Sequence, residues 1–419
     1  MPPHQDACGQ LPLDALPTQP WDVLVVGAGP AGSIAALHLA RHGHRVLLAD
    51  RARWPRTKVC GDGLLYDAHD SLRNAGLYKQ VEQKAQMVDH ASAFSPGGVE
   101  VVVSSRYLLL KRVHLDTILA KGAVDAGVTF VHGELTDIAS TPDGHVVAHF
   151  AGSGAEVRAR IALIATGVSL RLARQLQPIG RHLPFAVGLR SYVRSPVALD
   201  RMVTFYDRQA LPGYAWVFPL GDGEFNVGFV EVRRDGHAKG ENLRRAFKRV
   251  LADFPLTNRL MDEATAVGPP QGAMLRGGLH GAPPLLARNV LAAGETIGST
   301  LPLTGEGVGR AMHTGSMAAD AIHAALQADD LIQLHAYPRR VSAELRPRHM
   351  AYGAAEWCAS VPWLNDFIAR RAQEGHALHN IAVGVVSGNN QSRGARALRS
   401  VFGLAARLGH RNGRPTSQV

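Results

Sequence analysis

The chain has 419 residues, 46% apolar and 19% charged, with 45 basic against 35 acidic residues and a net charge of +10. This composition suits a large folded core and excludes a disordered chain, and the length predicts two intimately joined domains. No uninterrupted apolar stretch is long enough to span a bilayer, and three distant cysteines (Cys8, Cys60, Cys358) fit a reducing cytoplasm rather than a disulfide framework.

Residues 1–20 hold five prolines and neither a basic nor an apolar signal segment, so they read as a loose leader. The rest of the chain is organised around residues 22–51. Asp22 to Val26 is a short apolar run of buried parallel-strand type. It runs into Gly27-Ala28-Gly29-Pro30-Ala31-Gly32, a helix over 33–41, and a second strand, Arg45 to Ala49, ending in Asp50. Gly27 permits the tight turn, Gly29 lets a pyrophosphate approach the backbone, and Gly32 lets helix pack on strand. The helix N-terminus then offers free N–H groups to the phosphates. Asp50, followed by Arg51, stands 18 residues after Gly32, where an acid takes a ribose hydroxyl. The chain is expected to bind a dinucleotide.

Residues 52–65 form a loop punctuated by Pro55, Gly61 and Gly63, leaving the ligand-binding end of the sheet. Arg56 and Lys58 can meet phosphate there. Cys60 sits among basic and glycine residues, either as an exposed, activated thiol or as a small buried filler. Residues 66–110 are mixed, with one strand read over 99–103. Arg112 stands just before a helix read over 113–125, either reaching the phosphates or remaining solvated. Hairpin and return strands over 145–150 and 157–164 lead to Ala165-Thr166-Gly167.

From 181 to 276 short β-type runs dominate: 185–193, 202–206, 214–220 and 225–230, with one helix over 242–253. They predict a mostly antiparallel sheet roofing a substrate pocket. On its strand, Tyr214, Trp216 and Phe218 share one face at period two, either as a substrate wall or as plain sheet core. Residues 289–293 make a further strand ending in Gly294-Glu295. A Gly-rich segment containing Pro302, Gly305, Gly307 and Val308 then opens a long amphipathic helix, a second N-terminus for the far end of an extended cofactor. From 331 onward the chain reads as helices broken at Pro338, Pro347, Pro362 and Gly388, and the apolar 382–386 stretch can close the pocket.

Charge is uneven. From Pro338 to the end there are 12 Arg, no Lys and 4 acids, so 12 − 4 = +8 of the net charge lies there. This is either a solvated basic surface or a landing face for a membrane surface or an acidic carrier protein. Nucleic acid is not expected, because basic and aromatic residues do not interleave. The histidines show no HExxH spacing and the cysteines no CxxC, so no metal is expected. No GxSxG elbow supports hydrolysis.

Taken in order, these stations resemble the geranylgeranyl reductase family, within the FAD-dependent group of p-hydroxybenzoate hydroxylase fold that also holds flavin-dependent halogenases. Gly27 to Gly32 with Asp50-Arg51 looks like the ADP-binding motif. Lys58-Val59-Cys60-Gly61-Asp62-Gly63-Leu64 is similar to the family's CGxGL loop beside the flavin. The run from Tyr214 to Pro219 matches YxWxFP, and Gly294-Glu295 with Pro302 to Val308 resembles GD…PLTGEGI, Glu295 replacing the usual aspartate. Tyr214 and Phe218 depart from the halogenase Trp-x-Trp-x-Ile-Pro segment.

The resemblance implies an α/β fold: a Rossmann-like FAD-binding domain (21–180 and 281–330), an inserted β-sheet substrate domain (181–280) and a helical C-terminal region (331–419). It implies an oxidoreductase that saturates carbon–carbon double bonds of a prenyl or other long apolar substrate, with Cys60, Tyr214 and Trp216 at the reacting end. FAD is the implied cofactor, with NAD(P)H or another reductant docking transiently, since no second dinucleotide fingerprint is present. The alternative is a monooxygenase acting on a natural-product or carrier-bound substrate. A halogenase or a non-catalytic flavin protein ranks behind both. The expected location is cytoplasmic, or peripheral to a membrane.

Overall fold

A computed structural model describes residues 8–16, 20–152, 154, 156–180, 183–233 and 242–374. The first sheet is built on the strand Trp21–Val26, where Val23, Leu24 and Val25 are fully buried. A strand covered on both faces has no polar alternation, which is why its sequence is a continuous apolar run. Val46–Asp50 pairs with it in parallel on one side and Glu156–Ile164 on the other. Thr129–His132 and Val290–Ala292 extend the two sides, again in parallel, and Leu285–Ala287 closes one edge antiparallel. The hairpin Leu135–Ser140/Val146–Phe150 joins the strand Glu156–Ile164.

Helices Pro30–Arg41 and Val308–Ala328 lie against each other beside this sheet. A Cβ at Gly315 would stand 2.2 Å from the Ala31 carbonyl oxygen, so glycine is what lets the two backbones touch there. The two helices that begin at Gly-rich turns are thereby held as one unit.

The second sheet is antiparallel except where Met202–Phe205 runs parallel to Gln86–Phe94. Its centre is Ala186–Arg194, Glu224–Val232 and Tyr214–Gly221. Ala215 and Val217 point to one face, under helices Leu243–Asp253 and Pro255–Asp262. Tyr214, Trp216 and Phe218 point to the other face, with Met202, Val230 and Tyr107. The first of those helices is capped by Asn242, whose Oδ1 accepts the Arg244 N–H at 3.0 Å.

Three expectations are corrected. Strands Gln86–Phe94 and Glu100–Leu109 belong to the second sheet although they lie inside the 21–180 segment. A register shift between Val88 and His90 breaks their alternation, so period two is unreadable there. The leader is not wholly loose: the Leu11 N–H donates to Phe130 O at 2.7 Å and Leu11 O accepts from His132 N at 2.9 Å, covering the edge strand Thr129–His132. Pro338 and Pro347 lie inside the helix Ala336–Ala359 instead of breaking it. Pro338 falls in the first turn, whose N–H groups have no intrahelical partner. At Pro347 the helix continues because Val341, Leu345 and Tyr352 bury its inner side.

Residues 382–386, Gly388 and six of the C-terminal arginines (Arg393, Arg396, Arg399, Arg407, Arg411, Arg414) lie outside the described residues. Among the described residues, no helix is long and apolar enough to cross a membrane, and no group of three or more potential metal ligands occurs.

Candidate active site

The glycine turn is shaped by contacts that only glycine allows. Gly27 has φ 102°, and a Cβ there would stand 2.4 Å from Ala165 O. A Cβ at Gly32 would stand 1.8 Å from Gly27 O. At Gly29 the nearest atom to such a Cβ is Arg56 Nη2 at 3.7 Å, so an anion approaching the turn has room and a cation at hand. Pro30 opens the helix at a position where its missing N–H costs nothing. The Ala28 N–H donates to Asp50 Oδ2 and the Ala52 N–H to Oδ1, both at 2.9 Å, fixing the acid at the end of its strand.

A continuous cavity of about 650 Å³ runs from this turn to the aromatic wall. It is lined by Gly27, Gly29, Pro30, Ala31, Asp50, Arg51, Lys58, Cys60, Gly61 and Arg112 from the first part of the chain, and by Tyr214, Trp216 and Phe218 from the second sheet. Gly294, Glu295, Gly305, Gly307 and Val308 line it from the return segment. Gly32 and Pro302 do not line it: Gly32 lies at the helix–strand contact, and Pro302 is half-buried outside the lining.

Glu295 holds two elements together, accepting the Arg276 N–H at 3.1 Å and the Lys58 ammonium at 3.3 Å. Lys58 is therefore ion-paired in this arrangement. Leu303 has φ 65°, an unusual conformation for a bulky residue. Its N–H donates to Glu356 Oε2 at 3.0 Å, a tether from the C-terminal helix that holds the turn. The long helix starts just beyond, at Val308.

The wall rings are spaced at 6.1 Å (Tyr214 to Trp216) and 6.2 Å (Trp216 to Phe218). Opposite Trp216 on the neighbouring strand is Gly228. A Cβ there would stand 2.0 Å from the indole. Gly228→Ala is expected to displace Trp216 and cost about 1–3 kcal/mol of stability, while the flavin content of the purified protein stays near that of the parent. Denaturant unfolding and the visible flavin spectrum check the two halves; equal loss of both would place the glycine in cofactor binding instead.

Sequence reasoning missed Asp62. It is 1% exposed with φ 65°. Its Oδ2 accepts Tyr192 Oη at 2.8 Å and Asn226 Nδ2 at 2.7 Å, and its Oδ1 accepts the Arg112 N–H at 3.1 Å, capping the helix Arg112–Asp125. Asn226 also donates to Cys60 O at 2.8 Å and accepts the Trp216 indole N–H at 2.9 Å. One buried carboxyl thus ties the Cys60 loop, a helix start and the aromatic wall. Burial pushes its pKa up, against the Tyr192 and Asn226 hydrogen bonds. The partners stand far away in sequence, so no local signal marks them.

Two expectations about charge are corrected. Arg112 is neither solvated nor free: Nε and Nη2 donate to both oxygens of buried Asp116 at 2.7 and 2.8 Å. The i,i+4 acid spelled this pair in the sequence. Arg56 Nη1 joins the same carboxylate at 3.1 Å, leaving Arg56 as the cation beside Gly29. Cys60 is not activated as a thiolate. Burial pushes its thiol up, and nearby Arg112 offsets this only in part, so it keeps its proton at neutral pH.

A second missed cluster lies behind Glu306. Asp67 pairs with Arg310 and, at 2.6 Å, with Arg348 Nη1, all three buried. Arg348 Nη2 stands 3.7 Å from Glu306 Oε2. Burial, and then the charge of Asp67, push Glu306 up to about 7.

These features fit FAD. The glycine turn, Arg56 and the Pro30 helix suit a pyrophosphate; Asp50 suits a ribose; the turn before Val308 suits the polar edge of a flavin ring. The FAD binding domain family matches residues 20–175. The menaquinone reductase of Mycolicibacterium smegmatis is 30% identical over 319 residues, covering 71% of this chain and 75% of that protein. The digeranylgeranylglycerophospholipid reductase 2 of Methanopyrus kandleri is 32% identical over 321 residues, covering 74% and 78%. The crystal structure of a geranylgeranyl bacteriochlorophyll reductase-like protein from Thermoplasma acidophilum superposes with a TM-score of 0.76 at 20% identity, over 91% of this chain and 99% of that one, which shows the fold. With FAD as its cofactor and these relatives, the chain is an FAD-dependent oxidoreductase and belongs to the geranylgeranyl reductase family.

Proposed function

We propose that the protein reduces carbon–carbon double bonds in the prenyl chain of an isoprenoid lipid. The observation that carries this reading is the shape of the cleft. The cavity that begins at the glycine turn ends in an apolar lining of Tyr214, Trp216, Phe218, Met202, Val230 and Leu275. Such a lining binds a hydrocarbon chain by excluding water, and offers few polar groups to a polar substrate. The digeranylgeranylglycerophospholipid reductase among the relatives supports a prenyl substrate.

FAD, when reduced, supplies the hydride. Arg56, Asp50 and the turn before Val308 hold it, and the aromatic wall orients the double bond. Two groups at the wall carry protons at neutral pH: the Cys60 thiol and the Tyr214 hydroxyl, which burial holds protonated and which donates to Thr304 O at 2.5 Å. The electron donor in this reading is NAD(P)H or another reductant that docks transiently, consistent with the single fingerprint in the sequence.

The test is anaerobic. Photoreduced, FAD-loaded protein mixed with a geranylgeranyl lipid is expected to return to the oxidised flavin spectrum, with product mass rising by two hydrogens per bond saturated. Flavin that stays reduced until oxygen is admitted, and then yields a hydroxylated lipid, would replace this reading with a monooxygenase.

A further inference from the structure

The C-terminal helical hairpin, Ala336–Ala359 and Pro362–Glu374, carries three large exposed aromatics. Trp357 is 61% exposed, Trp363 68% and Phe367 48%. Trp363 and Phe367 are four residues apart and share a stripe of their helix with exposed Arg370. The Arg371 guanidinium lies 5.6 Å from the Phe367 ring centroid. The opposite side of this helix is fixed to the body. Ala369 and Ala372 pack on Val101 and Val103. Asp366 accepts Ser95 Oγ at 2.7 Å, the Gly97 N–H at 2.6 Å and Arg208 Nη2 at 3.1 Å. The aromatics therefore stand outward on a rigid support.

We infer that this hairpin is the face by which the protein sits on an anionic lipid surface. Exposed Trp and Phe flanked by Arg is the composition that seeks the headgroup boundary, with rings at the acyl edge and guanidinium groups on phosphates. The charge of the adjoining chain points to the same partner: residues 375–419 contain six Arg and no Asp, Glu or Lys. Polybasic segments are drawn to anionic leaflets. The hairpin also borders the cavity. Tyr352, Ala355 and Ala359 pack with Leu303 and Tyr206, which line it, and Glu356 holds the Leu303 N–H. Docking by this face brings the Tyr206–Leu303 side of the cleft to the membrane, where a lipid tail enters. The purpose of docking rests on the lipid substrate assigned above; the binding itself is measured without turnover.

The chain provides its own reporter. Of its five tryptophans, Trp21, Trp54 and Trp216 are buried and only Trp357 and Trp363 are exposed. FAD-loaded full-length protein is mixed with vesicles of phosphatidylcholine alone, or with part of it replaced by phosphatidylglycerol, each made with and without brominated acyl chains. Quenching by brominated chains is expected only when phosphatidylglycerol is present. It should weaken at high salt and fall by about half in Trp357→Phe and in Trp363→Phe. Trp363→Ser with Phe367→Ser is expected to weaken vesicle binding by about tenfold or more. The same variant should keep its flavin content, circular dichroism spectrum and activity toward a detergent-dispersed short-chain prenyl substrate. Absence of brominated-lipid quenching overturns the inference. So does a concentration-dependent dimer lost in the double variant without quenching, since that result assigns the face to a second copy. Quenching with no reductase activity leaves the docking face standing and removes the reductase reading alone.

Discussion

Asp67→Ala is expected to lower the free energy of unfolding by about 3–5 kcal/mol. Asp67 is the counter-charge for two buried guanidinium groups, Arg310 and Arg348, which come from the cofactor-facing helix and the C-terminal helix. Removing it strips both buried guanidinium groups of that counter-charge, with the Glu306 carboxyl still beside Arg348. The cost is the desolvation of unpaired charge, and it exceeds the net worth of the pairs themselves. Denaturant titration followed by circular dichroism measures it; a loss under about 1 kcal/mol would mean that water reaches the cluster. The variant also changes how stability depends on pH. Glu306 titrates near 7 in the folded chain, against an ordinary carboxyl value of 4.5. Between those values the folded chain binds a proton that the unfolded chain has released. The stabilisation from this group is complete below the lower value and is lost as pH rises through about 7. Without the Asp67 charge, Arg310 and Arg348 pull the Glu306 carboxyl down, so the slope across that window flattens.

Asp62→Ala is expected to cost about 3 kcal/mol and most of the activity. It strands three donors: the Tyr192 hydroxyl, one Asn226 amide hydrogen and the Arg112 N–H. Each buried donor left alone costs about 1–3 kcal/mol, and the terms overlap because the groups share a site. Asn226 would be free to turn, releasing both the Trp216 indole and the carbonyl of Cys60. Asp62→Asn keeps the shape but must point an amide donor at another donor, so it recovers little. A double-mutant cycle with Asn226→Leu should give a coupling energy of about 1–3 kcal/mol. Additive effects would mean that the two side chains act separately and that the wall is set by packing alone.

The parts of the site written locally were legible. The turn from Gly27 to Gly32 and the acid at Asp50 sit within one strand–helix–strand unit, and period two puts Tyr214, Trp216 and Phe218 on one face whatever strand lies beside them. Asp62, Asn226 and Tyr192 were not legible, because Tyr192 and Asn226 face each other across two strands of the second sheet and Asp62 reaches them from more than a hundred residues earlier in the chain. Asp67, Arg310 and Arg348 were hidden for the same reason: an acid on a short early helix meets arginines more than two hundred residues later. Arg112 was read in part: it lines the cavity, but its ion pair with Asp116, only four residues away, went unread. The basic C-terminal region divides: Arg348 is sealed in an ion cluster, whereas Arg370 and Arg371 remain at the surface.

The parallel pairing of Gln86–Phe94 with Met202–Phe205 has a consequence for synthesis. Ala91 meets Met202 in that register, and the pairing closes a loop of 202 − 91 = 111 residues. An emerging chain must therefore hold its Gln86–Phe94/Glu100–Leu109 hairpin with one edge bare until a partner far downstream leaves the ribosome. Such long closures slow folding and expose strand edges to neighbouring chains. The aromatic wall arrives later still, on the strand after Met202–Phe205, and the Gly294–Val308 half of the cleft later again. Cofactor capture is thus a late event in the birth of this protein.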